Sequence, residues 1–292
     1  MSRKNIILDS QILNGIQLCP QRTDFQFNQD LQPPITSEPL ESGGLLHVMM
    51  ESYYHDVMMC GTEITYDNKN FQDSIERAIL IGETHNKDLN LPSEVTNEII
   101  YQFKENISHH RMDGWKILEV EKAFISELYK DEELGIYLTG KIDVIAEVPN
   151  YGVVVVDHKS SRRSQEVEPL SNQFTLYSWA TGIKTVIINK VGFQKTIPPE
   201  KRFSRHPLFY TNEQIDRWCK NTIWWCKFYV FCLENDSWPE NRTSCDKYGG
   251  CIYTPICRSA TNEGMIAQIS NNYIKGKKWN VTEVLMKKGK ND

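Results

Sequence analysis

The sequence predicts a mixed α/β protein, and three observations carry that prediction. Strand-like segments cluster between Trp115 and Lys159. Helical spacing returns over 166–181, before a further strand at Thr185–Val191. Helical patterns also dominate on both sides of this region in sequence. Strands, a flanking helix and another strand make a mixed sheet with a helix on its face, and the helical stretches become arms around it.

From the N-terminus, residues 11–30 read as helical with a break at Cys19-Pro20, and 31–42 read as a loop because of Pro33, Pro34 and Pro39. Gly43-Gly44 opens a helix that reaches about Asp56 and carries His47 and Glu51, four apart and on one face. A helical region follows over about 71–110, with a loop at Glu83–Leu91 that ends at Pro92. Ile117–Ser126, Leu134–Thr139, Lys141–Val148 and Gly152–Lys159 alternate or run apolar as strands of a meander. Phe193–Phe209, with Pro198-Pro199 and several basic residues, reads as an exposed loop or ribbon. Residues 211–234 form a long helix whose apolar content is Trp218, Trp224, Trp225, Phe228 and Phe231. A cysteine-rich loop and a lysine-rich tail complete the chain.

At 292 residues, 40% apolar and 24% charged, the composition is that of a soluble globular protein. No apolar run is long enough to span a bilayer, and Met1–Asn5 lacks a signal-peptide core, so the expected location is the cytoplasm, or a host's cytoplasm if the gene is a phage's. A net charge of −5 does not suggest a protein that coats nucleic acid nonspecifically, and it leaves room for a nucleic-acid enzyme with a local basic channel. Of the eight cysteines, Cys60, Cys219, Cys226 and Cys232 have apolar neighbours and read as buried small hydrophobes.

The most informative stretch is Gly140–Asp143 followed by Val153–Lys159. Four consecutive valines read as a buried strand, and its end delivers Asp157, His158 and Lys159. Alternation places Asp157 and Lys159 on one face and His158 on the other. Alone, an Asp-x-Lys is an ordinary ion pair at a strand end. Two carboxylates near one ammonium also form the arrangement that holds a divalent cation and orients a water beside a phosphodiester.

Asp143, Asp157-x-Lys159 and Gln173-Phe174-Thr175-Leu176-Tyr177 resemble the ordered motifs of RecB-like nucleases of the PD-(D/E)xK superfamily. Gly43–Glu51 is similar to that group's Gly-x-x-x-His helix. Cys19–Phe25, with the later Cys245, Cys251 and Cys257, resembles the iron–sulfur subgroup, which includes the AddB nuclease domain, CRISPR-associated exonucleases and phage exonucleases. The match runs from Cys19 to Cys257 in the family's order.

The resemblance implies a restriction-endonuclease-like mixed sheet flanked by helices, in one domain over 1–292 with its core at about 115–195. It implies a helical N-terminal region over 1–114, a C-terminal helix and cysteine loop over 211–260, and a basic tail over 261–292. It makes His47, Asp143, Asp157 and the backbone carbonyl of His158 ligands of Mg²⁺ or Mn²⁺. Lys159 then stabilises the attacking hydroxide or the transition state, and Gln173 and Tyr177 position Lys159 or the DNA. Glu121 matches an acid on the strand before the core. Asp157 stands where many relatives carry Glu.

Cys19, Cys245, Cys251 and Cys257 would together hold a 4Fe–4S cluster that joins the two helical arms. Zinc is the alternative, although five residues separate Cys245 from Cys251 and Cys251 from Cys257, and tight Cys-x-x-Cys knuckles are absent. Arg162, Arg163, Lys195 and Arg202 are candidate DNA contacts, because basic residues interleaved with Phe193, Phe203 and Phe209 suit single-stranded or frayed DNA.

The expected activity is metal-dependent DNA hydrolysis, as an exonuclease at DNA ends in recombination, repair or phage replication. DNA, single-stranded or at its ends, is the expected partner, a helicase or recombinase is a possible further one, and the sequence shows no nucleotide-binding Gly-Lys-Ser/Thr loop. A catalytically silent DNA-binding subunit and a zinc-stabilised interaction protein are the alternative readings.

Overall fold

A computed structural model describes residues 3–34, 38–61, 65–89, 91–161, 168–194, 196–277 and 280. In chain order the elements are β1 (Lys4–Leu8), α1 (Ser10–Leu18), α2 (Pro20–Thr23), β2 (Leu31–Gln32), α3 (Glu38–Cys60), α4 (Asn68–Leu89) and α5 (Ser93–His109). Then come β3 (Lys116–Lys130), β4 (Leu134–Val148), β5 (Gly152–Ser161), α6 (Asn172–Thr181), β6 (Thr185–Gly192), α7 (Pro199–Arg202) and β7 (Phe203–Phe209). The last elements are α8 (Asn212–Asn235), α9 (Thr254–Cys257), α10 (Asn262–Asn272) and β8 (Ile274–Lys275).

The chain divides into two compact units, each assembled from separate stretches of sequence. Residues 37–123 and 141–211 form the unit that carries the candidate site, and 1–36, 124–140 and 212–292 form the other. The strands β3 and β4 pass from one unit into the other.

In the site-bearing unit the sheet runs β4-β5-β6-β7, and β3 also pairs with β4. The β4–β5 and β6–β7 pairs are antiparallel and β5–β6 is parallel, so the sheet is mixed. A short turn with Asn150 and Gly152 at positive φ (67° and 71°) joins β4 to β5 and sets their register. Val154, Val155 and Val156 of β5 are buried on both faces, as an interior strand requires, while Val153 at its start is exposed. On one face Val154 and Val156 pack with Leu45, Met49 and Tyr53 of α3 and Phe103 of α5. Each such fully buried side chain contributes about 1.5–3 kcal/mol. Helices α3, α5 and α6 thus flank the sheet.

The other unit pairs β1 in parallel with the first part of β4, in register from Lys4↔Leu134 to Leu8↔Leu138. Helix α1 starts at Asp9, whose carboxylate accepts from the amides of Gln11 and Ile12. A second small core joins Phe25, Leu31, Tyr253 and Ile256.

Several expectations change. The helix α3 begins at Glu38 rather than Gly43, and α4 continues through the expected loop to Leu89. The segments 134–139 and 141–148 are one strand, and 203–209 is a paired strand on β6 rather than a free ribbon. Cys60 is exposed, whereas Cys226 and Cys232 are buried as expected. Trp224 and Phe231 lie exposed on α8 rather than in a core. The strand β1 had no counterpart in the sequence reading, because a five-residue Lys-Asn-Ile-Ile-Leu segment has too little pattern to separate strand from helix.

Candidate active site

The site begins where β4 and β5 part. Their register ends at Val144↔Val156, so Asp143 and Asp157 come directly off the last paired rung, on the same side of the sheet. His158 no longer continues that register, and its amide N–H donates to Asp143 Oδ2 at 2.7 Å. Two residues beyond, Lys159 places its ammonium 2.8 Å from Asp157 Oδ2. Asp157 is fully buried, while the Lys159 side chain is 38% exposed. The carboxylate is therefore inside and its counter-charge reaches toward solvent.

The helix α6 supplies the next layer. Ser171 caps its start by accepting from the Phe174 amide, and Gly182 ends it in the left-handed conformation at φ 73°. That framing puts Gln173 and Tyr177 one turn apart on the face toward β5. Gln173 Nε2 donates to Asp157 Oδ1 and to the Tyr177 hydroxyl oxygen, both at 2.9 Å, and its Oε1 accepts from Lys159 at 3.1 Å. The Tyr177 hydroxyl in turn donates to the Lys141 carbonyl at 2.8 Å. One amide thus holds the acid, the ammonium and the tyrosine, and the tyrosine anchors back to β4.

The helix α3 brings His47. Gly43, one turn earlier, lies so close to β5 that a Cβ there would sit 3.4 Å from Ser160 Oγ. His47 Nδ1 is 3.5 Å from Asp143 Oδ2, and its side chain is 35% exposed. Burial holds the imidazole below its ordinary pKa, with Asp157 pulling the other way, so it is neutral and able to donate a lone pair. Burial also raises both acids. Asp143 is pushed up to about 6, with the His158 amide and Lys159 opposing, and Asp157 to about 6, with Lys159 opposing and Asp143 adding. A divalent cation would relieve that cost.

His47, Asp143, Asp157, Lys159, Gln173 and Tyr177 therefore converge. Among the described residues, no group of three or more His, Cys, Asp or Glu side chains is arranged to hold a metal ion. Asp157 is already engaged by Lys159 and Gln173, and Asp143 by the His158 amide. Each carboxylate offers about four acceptor sites, so these contacts leave lone pairs on both acids for a cation.

Other assignments change more. The ring of His158 is buried, and its Nδ1 lies 2.9 Å from Asn189 Nδ2 on β6, its register partner. Burial holds it well below the ordinary histidine range. Glu121 takes a left-handed φ of 53° within β3 and ion-pairs with Lys141. Arg202 is corrected: it is only 6% exposed, stacks on Phe203 at 4.6 Å and faces Glu105 at 3.8 Å, so it is not a surface contact for phosphate. Arg162, Arg163 and Lys195 lie outside the described residues.

Sequence reasoning missed Tyr54, Asn189 and Asp113, and read Arg205 only as one of the basic residues of the 193–209 segment. Arg205 lies over the Trp115 ring at 3.5 Å, donates to Asn189 Oδ1 at 3.4 Å and ion-pairs with Asp113. Only the i+7 spacing of Tyr54 from His47 on one helix hinted at any of them.

In the other unit, Cys19, Cys245, Cys251 and Cys257 line one cavity of about 380 Å³, together with Arg22 and Arg258. The Asn241 amide donates to Cys19 Sγ at 3.4 Å. Burial, then Glu240 and the neighbouring Cys19, Cys251 and Cys245, push the Cys257 thiol up to about 11. All four are free thiols.

A mixed sheet that ends in paired acids and a lysine defines a phosphodiesterase-like site. The chain belongs to the PD-(D/E)XK nuclease superfamily, whose family model matches residues 11–258. Members of that superfamily are nucleases that generally use divalent metals, and nuclease membership makes DNA the substrate class. Among solved structures the chain is similar to SSO0001, at 12% identity and TM-score 0.40, covering 89% of this chain and 90% of that one. It is also similar to a phage related exonuclease from Haemophilus somnus 129PT, at 16% identity and TM-score 0.31, covering 64% and 95%. No curated protein matches the chain. Among the described residues, no helix is long and apolar enough to cross a membrane.

Proposed function

We propose that the protein is a Mg²⁺- or Mn²⁺-dependent deoxyribonuclease acting as an exonuclease at DNA ends. The observation that carries this reading is the shared engagement of Asp157, Lys159 and Gln173 next to Asp143 and His47. His47, Asp143, Asp157 and the His158 carbonyl would hold the ion. The donor set fits a divalent cation, because two buried acids with raised pKa and a neutral imidazole all gain from one. When bound, such an ion activates water and offsets phosphate charge.

The chain's own residues do the rest. Lys159, whose ammonium lies 2.8 Å from Asp157 and reaches toward solvent, would place its positive charge where negative charge grows on the phosphorus oxygens. Gln173 keeps the Lys159 ammonium aligned through Oε1. Tyr177 fixes Gln173 against β4. Arg162 and Arg163, which follow β5 directly in sequence, and Lys195 are proposed phosphate contacts.

The four cysteines are proposed to hold a 4Fe–4S cluster with a structural role. What supports this reading is that the four thiols line one cavity with Arg22 and Arg258 beside them, although they are not arranged as a ready ligand group.

The test is digestion of end-labelled single- and double-stranded DNA, linear and circular, with Mg²⁺ or Mn²⁺. Release of mononucleotides or short fragments from linear DNA only is expected. No cleavage of any substrate with either metal would leave the silent DNA-binding reading, which the absence of a ready three-ligand group among the described residues favours.

A further inference from the structure

The helix α8 exposes an aromatic stripe that the proposed active site does not use. Trp224 is 60% exposed and Phe231 54%, and Phe228 lies between them. The three rings are nearly parallel: Trp224 and Phe228 are 5.7 Å apart at 16°, and Phe228 and Phe231 are 6.5 Å apart at 11°. Helical periodicity puts Arg217, Lys220 and Lys227 on the same face. All three are exposed, and Arg217 and Lys220 make no ion pair among the described residues. Lys227 lies 4.2 Å over the Tyr129 ring and donates to its hydroxyl, which leaves two ammonium protons for another acceptor. Of the nearby acids, Glu213 shares this face four residues before Arg217, Asp216 lies to one side, Glu234 is paired with Lys4, and Asp131 is linked to Lys227 through the Tyr129 hydroxyl.

We propose that the face from Arg217 to Phe231 is a track for single-stranded DNA, with bases stacked on the three rings and phosphates on the three cations. The track deepens the nuclease reading, on which it rests, by naming a single strand as the form of DNA held. Every base has a face that stacks on an aromatic ring, and the cations follow the backbone, which is how single strands are bound without sequence preference. From Arg217 to Phe231 the helix is about 21 Å long, room for a few nucleotides. A protein partner fits less well, because lysine is depleted from the centre of protein interfaces and here Lys220 and Lys227 lie within the stripe.

The experiment is fluorescence anisotropy of a labelled oligo(dT) with the full chain and no divalent metal added, over a salt series. Trp224→Ala and Phe231→Ala are each expected to weaken binding about tenfold. Lys220→Gln and Lys227→Gln, which leave the rings in place, are each expected to lower the log–log salt slope by about 0.7. Affinity and slope equal to wild type in these variants, with unchanged circular dichroism, would overturn the track. So would concentration-dependent self-association that Trp224→Ala abolishes while DNA affinity stays fixed, which assigns the face to a second copy. Cleavage of end-labelled DNA by the wild type with Mn²⁺ is measured separately. A chain that binds through the stripe yet never cleaves retires only the nuclease reading.

Discussion

His158 lies face to face with Tyr54, their ring centroids 5.1 Å apart and their planes 14° apart. The contact joins α3 to β5 at the residue between Asp157 and Lys159, so the packing of one tyrosine sets where both charged side chains leave the strand. Tyr54→Phe keeps the stack and loses only the 3.5 Å contact of the hydroxyl with Arg205. It is expected to cost under about 1.5 kcal/mol. Tyr54→Ala opens a cavity in a fully packed region and is expected to cost about 3–5 kcal/mol. Chemical denaturation of the two variants measures the difference, and equal losses would mean that the stack does not organise this part of the sheet.

Arg205 supports the same strand end through Asn189. Arg205→Ala takes one ion-pair partner from Asp113, which keeps His110, takes a donor from Asn189 Oδ1, and removes the cation over Trp115. The loss is expected toward the lower end of the ~3–5 kcal/mol typical of a broken buried pair, because Asp113 is 36% exposed. Arg205→Lys, a point charge without the planar fork, should recover only part of it. Full recovery by lysine in thermal unfolding would show that charge alone matters here.

Lys159→Ala removes the ammonium that lies 2.8 Å from Asp157. A fall in kcat of about 10²–10³ is expected, equivalent to ~3–4 kcal/mol of charge stabilisation, with DNA affinity retained. Gln173→Ala should lower kcat by less, since Lys159 stays but loses its 3.1 Å anchor. Single-turnover cleavage alongside DNA-binding titrations separates the two effects, and near-wild-type cleavage by Lys159→Ala would refute its assigned role.

Burial raises Asp143 and Asp157 to about 6, well above the value of an unfolded carboxylate. The folded protein therefore binds more protons than the unfolded chain between about pH 4 and 6. Stability from these groups is present at the acid end and is lost as pH rises through about 6, by at most about 3 kcal/mol per carboxylate. Metal-free protein should accordingly lose stability between pH 5 and 7.5, and Asp157→Asn should lose less over that interval. Mn²⁺ at pH 7.5 should restore it, and cleavage should rise with pH through the same range as the acids ionise. Melting temperatures at both pH values, with and without metal, test the sign.

Cys257→Ser removes one of four thiols on a shared cavity. Protein purified without oxygen should be coloured and contain iron and sulfide as wild type, and the variant should lose both with a lower melting temperature. A folded, colourless, iron-free wild type would end the cluster assignment, and zinc analysis of the same sample decides the alternative.

Some of this was legible in the chain alone because it is local. The valine run makes β5 a buried strand, and the two-residue period puts Asp157 and Lys159 together wherever that strand lies. The four-residue step does the same for Gln173 and Tyr177 on α6. The start of that helix was not legible: helical spacing ran from 166, whereas Ser171 caps it and Gly182 ends it. Helix boundaries were less legible: nothing between Glu83 and Leu89 is apolar enough to predict that α4 would continue.

What periodicity could not give is anything that depends on which elements become neighbours. The opposition of Asp143 and Asp157 follows from one antiparallel register, and the bond from His158 to Asn189 from one parallel register. The burial of Arg202 and the exposure of Trp224 and Phe231 depend on which surfaces other elements cover. A residue's face is set by backbone geometry within a few positions, so the sequence carries it. Its partner, its desolvation and hence its pKa are set by segments scores of residues away, and only the folded chain decides them.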